Sequence, residues 1–186
     1  TAASNLFGTR PDVPAIAAAA HAVGALVHVD AVHLAAHDTV DRAALGADLI
    51  SCSPYKFFGP HLGVLAGDPA LLETLHPDKL LPSTEEVPER FELGTLPYEQ
   101  LAGVTSAVDF IASFDPRGAR GTTRRQRLVA AMGAIAAHEH GLLSRLLIGL
   151  DRLSHVRVHG SPAARTPTLL LHVDGVEPRA VYEHLV

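Results

Sequence analysis

Apolar runs of strand length recur through the first part of the chain: "ALVHVD" at 25–30, "DLISCS" at 48–53 and "GVLAGD" at 63–68. Each is short, rich in aliphatic and β-branched residues, and bounded by glycine or a carboxylate, which is how buried strands read. Helical stretches separate them. Asp12 can cap a helix with Pro14 in its first turn; the alanine run continues to Val23, and Gly24 supplies a left-handed stop. Asp41 to Leu45 reads as a short helix closed by Gly46. Strands alternating with helices predict a layered α/β sheet, largely parallel. Ligands collect at the carboxyl ends of strands in such sheets. Asp30 and the segment from Ser53 to Lys56 fall at two such ends.

Beyond this the pattern changes. Pro77 to Pro88 carries three prolines and several charges without periodicity, and reads as an excursion over the surface. Helical periodicity returns from Tyr98 to about Ser113 and from about Thr122 to Leu150, followed by strand patterns at 155–160 and 168–174. The expected division is a first unit over residues 1–97, and connecting helices with a smaller, incomplete α/β unit over 98–186. The chain opens on Thr1 and stops at Val186 inside an amphipathic pattern that begins at Pro178 and has no stop signal. It reads as a piece of something longer.

Composition narrows the function. With 47% hydrophobic and 19% charged residues the chain falls in the soluble globular range, and no apolar run approaches a bilayer span. A net charge of −5 without a basic stripe gives nucleic acid no electrostatic footprint. Neither nucleic acid nor a membrane is an expected partner; a small molecule is. One cysteine, Cys52, excludes an internal disulfide and fits a reducing compartment, so the expected location is cytoplasmic.

One residue stands out chemically. Of 15 basic residues only Lys56 and Lys79 are lysines. Lys56 follows an apolar run and precedes two phenylalanines, in "SCSPYKFFGPH". A partly desolvated amine is available to form a Schiff base with a carbonyl. A lysine snorkelling from a strand end to solvent is the competing reading. Asp30 tips the balance, because a pyridinium nitrogen needs an anion to stay protonated, and that pairing holds pyridoxal phosphate as an electron sink.

The runs "VHVDAVHLAAH" and "GADLISCSPYKFFGPHLGVL", with "ASNLFGT" at 3–9 and "RFELGT" at 90–95, closely resemble the class V, fold-type I pyridoxal-phosphate enzymes, within them the cysteine-desulfurase-like group. The resemblance implies an α/β fold: the C-terminal part of a large, mostly parallel cofactor-binding domain, then the start of a smaller α/β domain. It implies a transferase or lyase acting on an amino acid through a lysine Schiff base at Lys56. Asp30 would pair with the pyridine nitrogen, and His33 and Asn5 would approach the cofactor's phenolic oxygen. Ser53 would bond the phosphate, and Thr95 would reach a neighbour's phosphate across a homodimer interface. Tyr55 stands where familiar desulfurases have histidine, which alters one phosphate contact. The first expectation is a cysteine-desulfurase-like lyase or sulfurtransferase, the second a transaminase or epimerase. A catalytically silent scaffold is the alternative of another class.

The remaining candidates divide two ways. His61 either lines the site or closes a loop. Arg165 is a candidate for holding a substrate carboxylate, with an exposed loop arginine as the competing reading. His33 and His37 stand at i, i+4, yet no HExxH frame or cysteine ligand accompanies them, so no metal is expected. His37, His138 and His140 read as surface histidines, Arg124, Arg125 and Arg127 as a solvated face, and Cys52 as a small core residue.

Overall fold

The computed structural model describes residues 1–118 and 121–186. Its first unit is a three-stranded sheet of β1 (His28–Asp30), β2 (Leu49–Cys52) and β3 (Val64–Gly67) in that order. β1 and β2 run parallel, with His28 opposite Leu49 and Asp30 opposite Ser51. β3 pairs with β2 antiparallel, Cys52 opposite Val64. The largely parallel expectation therefore applies to the first pairing and not to the second. A parallel return needs a crossover, and the segment 53–63 holds only a 3-10 turn, Pro54–Phe57.

The helices start and stop where the side chains dictate. α1 (Val13–His21) begins with the Asp12 carboxylate accepting from the Ala15 N–H at 3.1 Å. The single-turn α2 (Arg42–Leu45) is capped by Asp41 and ends at Gly46, whose φ of 65° is left-handed. A further short helix, α3 (Pro69–Thr74), follows β3 under an Asp68 cap and had no periodic signal. Val13, Val29, Ala31, Leu34 and Ile50 form the buried centre beneath this sheet.

Two longer helices follow, α4 (Tyr98–Ala112) and α5 (Arg124–Asp151). Thr123 and Gln126 close a reciprocal capping box at the start of α5. α4 and α5 bury Ile111, Ala131 and Met132 against each other, with Phe57 from the Lys56 turn packed alongside. β4 (Val156–His159) and β5 (Leu170–Val173) then pair antiparallel, and α6 (Pro178–Leu185) ends the chain.

The proline-rich excursion is held by one side chain. Arg90 is 7% exposed; its Nε donates to Glu85 O at 2.7 Å, Nη1 to Glu73 O at 3.1 Å and Leu75 O at 3.2 Å, and Nη2 to the Glu73 carboxylate at 3.2 Å. A planar guanidinium answers several carbonyls at once, which an ammonium cannot. We expect Arg90→Ala to cost roughly 1–3 kcal/mol, since it leaves the carbonyls of Glu73, Leu75 and Glu85 without their donor. Urea denaturation and limited proteolysis between 76 and 88 check this, and Arg90→Lys should recover only part of the loss. An unchanged midpoint would mean that water serves those carbonyls instead.

Candidate active site

The parallel pairing of β1 and β2 brings two sequence-distant ends to one edge. Ala31 N–H donates to Ser51 O at 2.8 Å just past Asp30, so Asp30 and Ser53 leave the sheet side by side. The Asp30 carboxylate is exposed and takes the Val32 N–H at 2.9 Å, a turn that sets its orientation. Ser53 is half-buried and caps the 3-10 turn that carries Lys56, whose N–H donates to Ser53 O at 3.0 Å. That turn closes on Phe58, left-handed at φ 67°, and on Gly59. A Cβ on Gly59 would lie 2.6 Å from Pro54 Cβ, which is why "FFGP" needs its glycine.

The Lys56 amine is exposed and sits 5.2 Å from the centroid of the Tyr55 ring. Tyr55 in turn stacks on His61, centroids 4.9 Å apart and 10° from parallel. His61 is thus brought to the Lys56 turn through Tyr55.

A second wall comes from the far end of the chain. The N-terminal segment runs beside β1, Ala2 N–H donating to Asp30 O at 2.8 Å, and turns at 4–8 with Asn5 exposed on the turn. Residues 164–168 lie across this turn: Thr9 bridges Arg165 antiparallel, and Thr166 N–H donates to Gly8 O at 2.8 Å. A Cβ on Gly8 would meet Thr168 O at 2.6 Å, so only glycine admits so close a crossing. The Arg165 guanidinium spans the crossing, donating to Phe7 O at 3.0 Å and Thr168 O at 2.8 Å. It is half-buried and committed to backbone, not the exposed loop arginine of the competing reading.

His33 joins the two walls. Its Nε2 lies 3.1 Å from Thr166 Oγ1 and 2.9 Å from Thr168 Oγ1, and its ring meets His37 edge-on at 4.8 Å. Burial holds its pKa below the ordinary histidine value, the positive charges of His37 and Lys56 lower it further, and Glu139 opposes them. His37 is not a surface histidine: its Nδ1 is 3.0 Å from the Glu139 carboxylate of α5, with a side chain 20% exposed. Burial of Cys52 raises its thiol pKa, in keeping with a core residue. Arg124 and Arg125 are exposed but paired, with Asp109 and Asp41, whereas Arg127 is half-buried and so departs from a solvated face.

Asp30, Ser53 and Lys56 gather at one sheet edge, while Arg165 belongs to the strap, His33 meets the strap's two threonines, and Asn5 sits exposed on the turn that the strap crosses. Thr95 does not join them. It is exposed and lines a separate groove of about 490 Å³ with Leu80, Thr84 and Tyr98. Thr166 and Thr168 escaped the sequence reading, because "RTPT" before an apolar run reads as a strand start and nothing more. Between the strap and α5 lies a cleft of about 270 Å³, lined by Arg10, His37, Glu139, His140, Arg165 and Thr166. Among the described residues no group of three or more His, Cys, Asp or Glu could hold a metal ion, and no helix is long and apolar enough to cross a membrane.

The Aminotransferase class-V family profile matches residues 1–186. The chain is 33% identical to a probable cysteine desulfurase of Pseudomonas putida over 86% of its length, and 31% identical to an aminotransferase-like protein of Gibberella zeae over 98%. Those regions are 39% and 44% of the two relatives. Its fold is similar to the apo structure of the cysteine desulfurase from Thermococcus onnurineus, with a TM-score of 0.80, 26% identity, and 98% of this chain matched to 45% of that one. The chain therefore spans less than half the length of each.

The depressed pKa of His33 fixes a pH dependence. The unfolded chain takes up this proton near pH 6.5, where the folded site still resists it. The stability tied to His33 is fully present above about pH 6.5 and is lost as the pH falls toward the folded pKa. An NMR titration should place the His33 midpoint below that of the unfolded chain, with Lys56→Met moving it up and Glu139→Gln moving it down. A midpoint at the unperturbed value would refute this account of the site.

Proposed function

Because the chain belongs to the aminotransferase class-V family, we propose that it forms part of a pyridoxal-phosphate-dependent enzyme that acts on an amino acid, with cysteine-desulfurase-like lyase or sulfurtransferase chemistry. The observation that carries the reading is the meeting of Lys56, Asp30 and Ser53 at one sheet edge. Their chemistry fits the group. A primary amine suits its aldehyde, a carboxylate its ring nitrogen, and a short hydroxyl its phosphate without adding charge.

Bound there, pyridoxal phosphate supplies the electron sink for the pair left when a bond of the amino acid breaks. Lys56 would hold it through Nζ and, once displaced by the substrate amine, move a proton from that amine's neighbouring carbon. Asp30 would accept the ring N–H and so keep that nitrogen protonated. The turn that orients its Oδ1 on the Val32 N–H supports this role. Ser53 would donate from Oγ to the phosphate, and Asn5 and His33 would face the phenolic oxygen. Arg165, half-buried at the strap, makes both of its backbone bonds through Nη2, so Nη1 would be the nitrogen left to hold the substrate carboxylate.

The reading includes a homodimer, in which exposed Thr95 would serve the partner's phosphate, and a reducing cytoplasmic setting for the single thiol. An aminotransferase using the same residues is the second reading, favoured by the similarity to the Gibberella zeae protein.

The test uses the full-length protein. With pyridoxal phosphate added, a visible absorbance band should appear, and borohydride followed by peptide mapping should find the label on Lys56. Lys56→Ala should lose both. Asp30→Ala should keep the label but lower turnover on the order of 100-fold or more. L-cysteine yielding alanine and persulfide sulfur would support the desulfurase chemistry, and amino-group transfer to a keto acid the second reading. No label in a folded full-length protein would sink the enzymatic reading in favour of a scaffold.

A further inference from the structure

The outward face of the β4 and β5 pair carries a polar cluster that the candidate active site does not use. The register sets His172 opposite Arg157 and Leu170 opposite His159, so Arg157, His159 and His172 share one face. The other face turns inward, where Val156 and Val158 line an apolar groove with Leu147 and Leu150 of α5. On the outward face His159 Nε2 lies 2.7 Å from His172 Nδ1, with ring centroids 4.8 Å apart. His172 Nε2 lies 3.0 Å from Asp174 Oδ1, to which Arg157 Nε also donates at 3.0 Å. The hydrogen bond from Arg157 holds the Asp174 carboxyl below its usual range and keeps it ionised.

A carboxylate only accepts, so His172 donates to it from Nε2–H, and its lone pair is left on Nδ1, aimed at His159. Two bare lone pairs do not meet at 2.7 Å, so the hydrogen of His159 stands between the rings, on Nε2. That hydrogen is replaceable. A neutral imidazole carries its hydrogen on either nitrogen, and Nδ1 of His159 has no hydrogen-bond partner among the described residues. With the hydrogen moved there, two imidazole lone pairs converge on one point at the exposed surface.

We propose that His159 Nε2 and His172 Nδ1 form a binding site for one divalent transition-metal ion, which takes the place of the hydrogen between them and clamps β4 to β5. Nitrogens bound to one ion at about 2.0–2.1 Å lie roughly 3.0–3.4 Å apart, so the rings need open by only about half an ångström. The His159 side chain is exposed and free to make that rotation. Asp174 holds the second nitrogen of His172, the arrangement that fixes the tautomer of a metal-bound imidazole and raises its basicity. Water completes the coordination, because no group of three or more His, Cys, Asp or Glu among the described residues could do so. Charge does not draw the ion in, since Arg157 and Asp174 cancel. Selection therefore falls to ligand type, and copper(II), nickel(II) and zinc, which imidazole suits, are favoured over magnesium and calcium, which take oxygen. This site is independent of the function proposed above.

The probe is zinc, added to full-length protein labelled with ¹⁵N at histidine. The signals of His159 Nε2 and His172 Nδ1 should move together and saturate with one ion, while His172 Nε2 stays pyrrole-like. Magnesium should change neither. Calorimetry should show this binding lost in His159→Gln and weakened roughly 10–100-fold in Asp174→Asn. Zinc should also raise the unfolding temperature of the wild type more than that of His159→Gln. Because His159→Gln leaves the bond between His172 and Asp174 in place, it is read even where His172→Gln loosens the two strands. Ring signals that stay put at excess zinc, or equal affinity in the wild type and His159→Gln, overturn the proposal and leave the pair as a hydrogen-bonded cross-link. Equal movement with magnesium overturns the choice of ion, and unaltered affinity in Asp174→Asn the part given to Asp174.

Discussion

Everything at the site depends on one register, the parallel pairing that sets Asp30 opposite Ser51. A shift of β1 by one residue would turn Val29 out of the core and Asp30 into it, since side chains alternate across a strand. Burying Val29 and Ile50 at the sheet centre therefore fixes where the carboxylate and the Lys56 turn emerge. Hydrophobic burial, rather than any attraction between Asp30 and Lys56, assembles the candidate site. Both groups stay exposed, as residues that receive a ligand must.

The second constraint is steric. The strap at 164–168 crosses the N-terminal turn so closely that position 8 admits no side chain. Two backbone hydrogen bonds, Arg10 N–H to Ala164 O and Thr166 N–H to Gly8 O, make the Thr9–Arg165 bridge that holds the crossing, and Arg165 stitches it by two carbonyls. Arginine suits this work because its fork serves several acceptors while remaining charged. Arg90 does the same at the proline-rich excursion. In both places arginine is the residue that holds backbone segments together.

What was legible from the chain alone was local in origin. The cap at Asp12, the glycine stops at 24 and 46, and the apolar periods of α4 and α5 each arise within a few residues, so the pattern records them directly. Asp30 and Lys56 could be singled out because a carboxylate and one of only two lysines, each at a strand end, carry meaning without knowledge of their neighbours. Motif resemblance then tied them to one cofactor family, in agreement with the family match.

Tertiary structure decided what is non-local. The antiparallel return of β3, the partner of His37 on α5, and the two threonines that face His33 across more than a hundred residues all depend on where distant segments come to rest. No periodicity encodes such meetings, because each partner is a common residue in an ordinary local setting. The residue types able to do the chemistry were thus a property of the sequence, and the orientation of those residues a property of the packing that brings strap, turn and sheet edge together.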